Sequence, residues 1–201
     1  KDYQRELYEK MEIENAKKMG IPVMRRAEML AELVRLKPLS IGVSGTHGKT
    51  TTCSMIGSIL DNAKKDPTIV IGGIVKKFNT NAVSGKGDII VVEADEYDKT
   101  FLSLYPVISI INNIEEEHLD CYSDFNDLEN AFWKFANNIP FYGFLLANSD
   151  DAAVCNVISN INKPVVTYGL NTEAIYNAKN IEFSKNKASF DLYYNNNKVD
   201  V

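Results

Sequence analysis

The sequence predicts an α/β fold built on a three-layer, mostly parallel sheet. From Leu39 onward, short runs rich in β-branched residues alternate with helical segments, and this alternation is typical of parallel βαβ units. Several of the runs are continuously apolar, as strands covered by helices on both faces must be. A glycine-rich segment between the first run and the first of these helices has the composition of a phosphate-binding loop.

Composition limits the classes of protein to which the chain can belong. Of its 201 residues, 45% are apolar and 24% are charged, which excludes a wholly disordered or fibrous chain. The formal net charge of −5 argues against nucleic acid as a partner. The densest apolar run, residues 141–147, is too short to cross a bilayer, so no membrane insertion is expected. Three widely spaced cysteines, Cys53, Cys121 and Cys155, argue against a disulfide framework and favour the cytoplasm.

Two helices are expected before the alternating region. Residues 2–19 are rich in Glu, Lys, Gln and Ala, and Gly20 follows as a residue that can end a helix. Residues 25–36 place apolar side chains near one face, and Pro38 breaks the chain after them. This first stretch differs in texture from the rest and is expected to be a separate unit.

The alternating region is expected to contain buried strands, two main helices and a small β-rich extension. The helices, residues 50–63 and 123–137, carry apolar side chains on one face, and Ser123 is expected to cap the second. The expected strands are residues 40–43, 68–71, 89–92, 107–111, 143–147 and 164–167. The extension comprises strands at residues 173–183 and 188–194, with turns at 186–187 and 195–197.

The strongest local signal is a loop that follows the first strand and opens a helix. Glycines there let backbone N–H groups approach phosphate oxygens, and the helix N-terminus adds positive potential. The general G-x-x-x-x-G-K-[ST] pattern is not met strictly, because Val43 stands five positions before Gly48. A glycine-rich turn that binds nothing is the alternative. The candidate phosphate-binding residues are Gly45, Thr46, His47, Gly48, Lys49, Thr50 and Thr51.

Acidic and histidine-containing segments follow two later strands. Residues 93–98 place four carboxylates after a buried strand, at the sheet edge where ligands of open α/β sheets bind. Glu93 is therefore a candidate Mg²⁺ ligand or water-orienting group, and a solvated acidic loop is the alternative. His118 follows the next strand with Asp120 two positions later, and it is either a metal ligand or a structural histidine.

Together these segments resemble the Mur ligase family, the ATP-dependent amide-forming enzymes of peptidoglycan precursor synthesis. The loop at residues 45–51 is similar to that family's variant P-loop, and a histidine at the position of His47 is typical of members that act on UDP-N-acetylmuramate. The remaining similarities are the acidic segment 93–96, the histidine segment 113–120, the interdomain stretch 25–30, and residues 138–143 with Asp150 and Asp151, which resemble the branch that uses L-alanine.

The resemblance implies a chemistry and a set of residue roles. ATP would phosphorylate the lactyl carboxylate of UDP-N-acetylmuramate, and the amine of L-alanine would attack the resulting acyl phosphate. Lys49 and the loop amides would hold the phosphates, Thr50 and Glu93 would hold Mg²⁺, and His118 would serve a second Mg²⁺. Asn81 and Asn113 would face the muramyl substrate.

The resemblance also implies a domain organisation. Residues 1–37 are expected to be the tail of an N-terminal UDP-substrate domain with its linker. Residues 38–201 are expected to be a central ATP-binding domain that is truncated at its C-terminal end. In the family a third domain completes the ATP and amino-acid sites, so the 201-residue chain alone is expected to have negligible ligase activity.

Two other functions are compatible with the same residues. A murein-recycling ligase joins a tripeptide to UDP-N-acetylmuramate and shares both the histidine-containing loop and a tyrosine like Tyr97. Residues 138–143 favour the L-alanine enzyme over it. The third hypothesis is a P-loop module in which nucleotide controls the binding of a partner.

Overall fold

A mostly parallel sheet organises the protein, as expected from the sequence. The computed structural model describes residues 2–75, 77–117, 120–170, 174–185 and 187–200. Within this part of the chain, one sheet contains ten strands in the order β10-β9-β8-β7-β6-β5-β1-β4-β2-β3. Its strands are β1 Leu39–Ser44, β2 Thr68–Val75, β3 Thr80–Val83, β4 Ile89–Glu93, β5 Ile108–Ile111, β6 Phe144–Asn148, β7 Val165–Gly169, β8 Tyr176–Ser184, β9 Lys187–Tyr194 and β10 Asn197–Lys198.

The centre of the sheet is parallel and fixes where the site lies. β1 pairs in parallel with β4 on one side and β5 on the other, and β2, β6 and β7 extend this parallel region outward. All six strands expected in this region are present. Because parallel strands share a direction, their carboxyl ends meet at one edge, where the connecting loops can build a site.

Five α-helices and one 3₁₀ helix accompany the described strands. α3 packs against β1, β2 and β4, while α5 packs against β6 and against α4. α2 and α4 both contact the 3₁₀ helix. These elements are α1 Asp2–Lys18, α2 Arg26–Arg35, α3 Lys49–Asn62, α4 Phe125–Asn137, α5 Ala152–Ile158 and the 3₁₀ helix Tyr97–Ser103. None of the helices in the described residues combines the length and the apolar character that crossing a bilayer needs.

Alternation along the strands divides the buried residues into two clusters, one on each face of the sheet. On β4, Ile90 and Val92 join one cluster with the aromatic face of α4, whereas Val91 joins the other with Cys53 of α3. Successive side chains of a strand point to opposite faces, so β4 is covered on both sides. The three layers predicted from continuously apolar strands are thereby confirmed.

The β-rich extension continues the same sheet. β8 pairs in parallel with β7, and β9 and β10 then add antiparallel strands. The expected turn at 186–187 is only partly testable, because Asn186 lies outside the described residues, while Lys187 already begins β9.

Three local features differ from expectation. Asp124, and not Ser123, caps α4, because its extended backbone lets its carboxylate accept a hydrogen bond from the Asp127 N–H at 2.8 Å. β3 had no sequence signal, because a short polar edge strand lacks an apolar pattern. α5 is a seven-residue helix capped by Asp151, too short to establish a 3.6-residue period in the sequence.

Candidate nucleotide-binding site

The glycine-rich loop between β1 and α3 has the backbone shape that its glycines permit. Gly45 and Gly48 have φ angles of +133° and +80°, which L residues with side chains rarely adopt. A Cβ atom at Gly45 would lie 3.0 Å from the Asn112 Cβ. Gly48 is the N-cap of α3 and brings no capping side chain. The first amides of α3 are therefore left to an anion or to water.

The chain that follows β5 supports this loop through a set of hydrogen bonds. The Thr46 N–H donates to the Asn113 carbonyl at 3.1 Å, and the Thr46 hydroxyl accepts from the Glu115 N–H at 2.8 Å. The His47 N–H donates to Asn113 Oδ1 at 2.7 Å, and Asn113 Nδ2 donates back to the His47 carbonyl at 3.4 Å. In this structure Asn113, expected from the resemblance to face a substrate, holds the loop backbone.

Asn112 links the loop to the next part of the sheet. Its Nδ2 donates to the His47 carbonyl at 3.3 Å and to Thr52 Oγ1 at 3.2 Å, and its Oδ1 accepts from the Tyr168 hydroxyl at 3.1 Å. Burial raises the pKa of Tyr168 to about 12. The tyrosine is therefore protonated at neutral pH, and its hydroxyl links β7 to the Asn112 side chain.

Lys49 is held by a carboxylate that the sequence did not single out. Its Nζ donates to Glu96 Oε1 and Oε2 at 2.9 and 2.8 Å, and to the Gly45 carbonyl at 2.8 Å. The Glu96 side chain is only 1% exposed and that of Lys49 11%. Burial raises the pKa of Glu96, and its hydrogen bond with Lys49 opposes that rise. Glu96 belongs to the acidic segment, but the sequence does not show which of its carboxylates is buried.

Thr50, in the first turn of α3, contacts Glu93, the last residue of β4. The Thr50 hydroxyl lies 3.1 and 3.0 Å from Glu93 Oε1 and Oε2, and the Gly72 N–H donates to Glu93 Oε2 at 2.7 Å. β4, which carries Glu93, pairs with both β1 and β2, so the parallel register brings these groups together. The two residues predicted as Mg²⁺ ligands are adjacent in the structure.

This oxygen pair suits Mg²⁺ and is not a complete metal site by itself. Among the described residues, no group of three or more His, Cys, Asp or Glu side chains could hold a metal ion. Mg²⁺ usually binds to one or two protein oxygens and takes its other ligands from water and phosphates. Thr50 and Glu93 fit that partial role, with phosphates expected from the adjacent loop.

The remaining candidate residues have different positions. Thr51 is exposed in the first turn of α3, and Asn81 is exposed on the edge strand β3. His118 lies outside the described residues. The His47 side chain is half exposed, with its Nε2 3.5 Å from a carboxylate oxygen of both Glu115 and Glu117.

A cavity of about 280 Å³ opens beside Glu93. It lies between α2, the middle of β2, the carboxyl end of β4 and the 3₁₀ helix, and its walls combine charged, aromatic and aliphatic side chains. Tyr97 in this wall donates a hydrogen bond to Asp120 Oδ2 at 3.4 Å, and the Asp120 charge raises the Tyr97 pKa. Glu93, Asp95 and Arg26 supply the charged groups of its lining.

Comparison with known proteins identifies the family. The domain described as the Mur ligase middle domain matches residues 43–201. The chain belongs to the Mur ligase family. Among relatives of this Mur ligase chain, the UDP-N-acetylmuramate–L-alanine ligase of Aquifex aeolicus is 46% identical over 183 residues, which are 91% of the chain and 40% of the relative. The ligase of the same name from Caulobacter vibrioides is 49% identical over 173 residues, 86% of the chain and 36% of the relative.

Solved Mur ligases have the same architecture. A UDP-N-acetylmuramate-alanine ligase from Thermotoga maritima superposes with a TM-score of 0.77 at 25% identity, covering 94% of this chain and 42% of that one. The Neisseria meningitides ligase that joins UDP-N-acetylmuramate to L-alanyl-γ-D-glutamyl-meso-diaminopimelate also has a TM-score of 0.77 at 25% identity, covering 92% of this chain and 61% of that one. The chain therefore spans about two fifths of the length of its L-alanine-ligase relatives.

Proposed function

We propose that this chain is the central part of an ATP-dependent ligase that joins L-alanine to UDP-N-acetylmuramate in the cytoplasm. The observation that carries the proposal is the contact between Thr50 and Glu93, whose side-chain oxygens are 3.0 Å apart. Thr50 directly follows the loop lysine, Lys49. A phosphate loop with a metal-ligand pair at its end suits transfer of a phosphoryl group. Relatives at 42–49% identity, named UDP-N-acetylmuramate–L-alanine ligases, support the choice of substrates.

The proposed reaction has two steps. In the first, a lactyl carboxylate oxygen attacks the γ-phosphorus of ATP, the bond to the bridging oxygen breaks, and ADP leaves. In the second, the L-alanine nitrogen attacks the carbonyl carbon of the acyl phosphate, loses a proton, and inorganic phosphate leaves as the amide forms. The first step gathers negative charge at the phosphoryl group, and the second gathers it at the carbonyl oxygen and the leaving phosphate, so a protein catalyses both mainly by positioning and charge neutralisation.

The residues of this chain divide that work. The α3 amides and Lys49 would neutralise the phosphates, and Thr50 and Glu93 would hold Mg²⁺, which supplies further positive charge when bound. His118 would serve a second Mg²⁺. The cavity beside Glu93 would receive the carboxylate that accepts the phosphoryl group. Asn113 would hold the loop. We also propose that Asn113 and Asn81 contact the muramyl group of the substrate.

The domain organisation belongs to the same proposal. Residues 1–37 would be the end of a UDP-substrate domain with its linker, and residues 38–201 most of the ATP-binding domain. The relatives' length supports further domains, because the matched region is only 36–40% of those from Aquifex aeolicus and Caulobacter vibrioides. The 201-residue chain by itself would then have negligible ligase activity.

The deciding experiment is an assay of the full-length protein with ATP, Mg²⁺ and UDP-N-acetylmuramate, measuring phosphate release and the mass of the amide product. We expect turnover with L-alanine and none with L-alanyl-γ-D-glutamyl-meso-diaminopimelate. Turnover only with the tripeptide would replace the proposal with the murein-recycling activity, which the equal TM-score of 0.77 keeps as the second candidate. Nucleotide binding without either amide would favour a P-loop module.

A further inference from the structure

Glu96 stands out because it is a charged group placed almost entirely inside the protein. Its side chain is 1% exposed, and both of its carboxylate oxygens lie within 2.9 Å of Lys49 Nζ. Burying a carboxylate is costly unless a cation and hydrogen bonds compensate it. Lys49 supplies that compensation, so the loop lysine has a structural partner as well as its proposed phosphate ligand.

The backbone around Glu96 is fixed from two sides. Its carbonyl accepts a hydrogen bond from the buried Tyr122 hydroxyl at 2.5 Å and another from the Lys99 N–H at 3.1 Å. Both donors lie outside the loop. The Glu96 backbone is therefore anchored independently of the loop, and only its side chain can adjust if the lysine extends toward a ligand.

The lysine is turned back onto the protein. A lysine ammonium has three N–H donors, and those of Lys49 face Glu96, the Gly45 carbonyl at 2.8 Å and the Thr46 carbonyl at 3.4 Å. A phosphate oxygen that binds to Lys49 must displace one of these acceptors. Asp95 offers a contrast, because its Oδ1 is 3.7 Å from Lys49 Nζ and its side chain is 58% exposed. Water screens that second carboxylate.

We propose that Glu96 is a latch for Lys49. In the nucleotide-free protein it holds the lysine inside the loop, and phosphate binding exchanges part of the Lys49–Glu96 contact for a contact with a phosphate oxygen. This inference rests on the proposed function in taking a polyphosphate as the ligand. The latch would make the loop selective for nucleotides over simple anions. A weakly held anion cannot compete for Lys49 with a carboxylate that binds through both oxygens, whereas a nucleotide with many other contacts can.

Two measurements on the full-length protein test the latch, with Glu96→Gln as the variant and Asp95→Asn as the matched loss of one nearby charge. The first is the rate at which an amine-reactive ester modifies Lys49 without nucleotide, followed by peptide mass spectrometry. The second is the Kd for ATP with Mg²⁺, measured by calorimetry. For Glu96→Gln we expect faster modification and about tenfold tighter binding, the size of one charge-assisted hydrogen bond, and for Asp95→Asn much smaller changes.

Equal effects of the two substitutions would overturn the latch, because they would show a general charge effect. Unchanged Lys49 modification in Glu96→Gln would overturn it as well. If Glu96→Gln fails to fold, Glu96→Asp keeps the charge but withdraws it by one methylene, and Lys49 modification should then exceed the wild-type rate. If even the wild type binds no nucleotide, the proposed function falls, while the modification rates still decide whether the latch exists.

Discussion

Thr50 Oγ1 lies 3.0 Å from Glu93 Oε2, although 43 positions separate the two residues in sequence. The contact follows from the sheet, because β1 and β4 are parallel neighbours and α3 starts only a few residues after β1. A hydroxyl and a carboxylate at this separation can bind the same cation once the proton they share is directed elsewhere. The pair is therefore the part of the site where a bound cation would act most directly.

Thr50→Val and Glu93→Gln are each expected to reduce the full-length enzyme's kcat by about a hundredfold or more, because each removes an oxygen of the proposed Mg²⁺ site. Steady-state phosphate release at saturating Mg²⁺ measures the effect. Ser54→Ala is the control, since its hydroxyl lies one turn later on α3 and donates to the Thr50 carbonyl at 2.6 Å. A near-normal rate for either Thr50→Val or Glu93→Gln would remove that residue from the site.

Lys49→Ala is expected to lower stability as well as activity. It leaves the buried Glu96 carboxylate without its cation, and breaking a buried ion pair costs about 3–5 kcal/mol. The double variant Lys49→Ala/Glu96→Gln should regain most of that free energy of unfolding while staying inactive. Urea denaturation of the four proteins in this cycle measures the coupling. If the losses of unfolding free energy in the two single variants simply add in the double variant, that would contradict a stabilising pair of Lys49 and Glu96.

The dependence of stability on pH should show the raised pKa of the buried Glu96 carboxyl. Burial raises its pKa above the ordinary 4.5, so its stabilising contribution is full below that value and is lost as pH rises through the higher folded pKa. The Tm of the wild type relative to that of Glu96→Gln should therefore fall as the pH rises above the ordinary carboxyl pKa of 4.5. A Tm difference that stays constant or grows with pH would show that burial does not disfavour the charged form of Glu96.

Gly45→Ala is expected to weaken nucleotide binding because it combines backbone strain with crowding. The residue has φ +133°, and its new Cβ would lie 3.0 Å from Asn112 Cβ. We expect a loss of about 1–3 kcal/mol in stability, and a raised Kd for ATP as residues 112–113 move. Gly20→Ala is the matched control, with φ +71° and no atom within 4 Å of the added Cβ, so it should be strained without altering ATP binding. Equal ATP affinities for both variants would contradict the crowding argument.

The sequence predicted those parts of the site that depend on local or periodic signals. The loop is contiguous, and Glu93 ends a continuously apolar strand, so both could be located without tertiary information. Glu96 could not, because its pairing with Lys49, 47 positions earlier, depends on the tertiary fold. The loop-holding role of Asn113 was missed for the same reason, since it depends on where the chain goes after a neighbouring strand.

The segment after β5 supplies the hydrogen bonds that shape the phosphate loop and also leads directly into the histidine region. Residues 112–115 contact Thr46 and His47 through backbone and side-chain atoms. The loop is thus not a transferable module. A graft of residues 45–51 into another α/β scaffold would need the strand continuation 112–115 beside it, and a compound that displaced this continuation is expected to weaken the proposed phosphate binding without touching the loop.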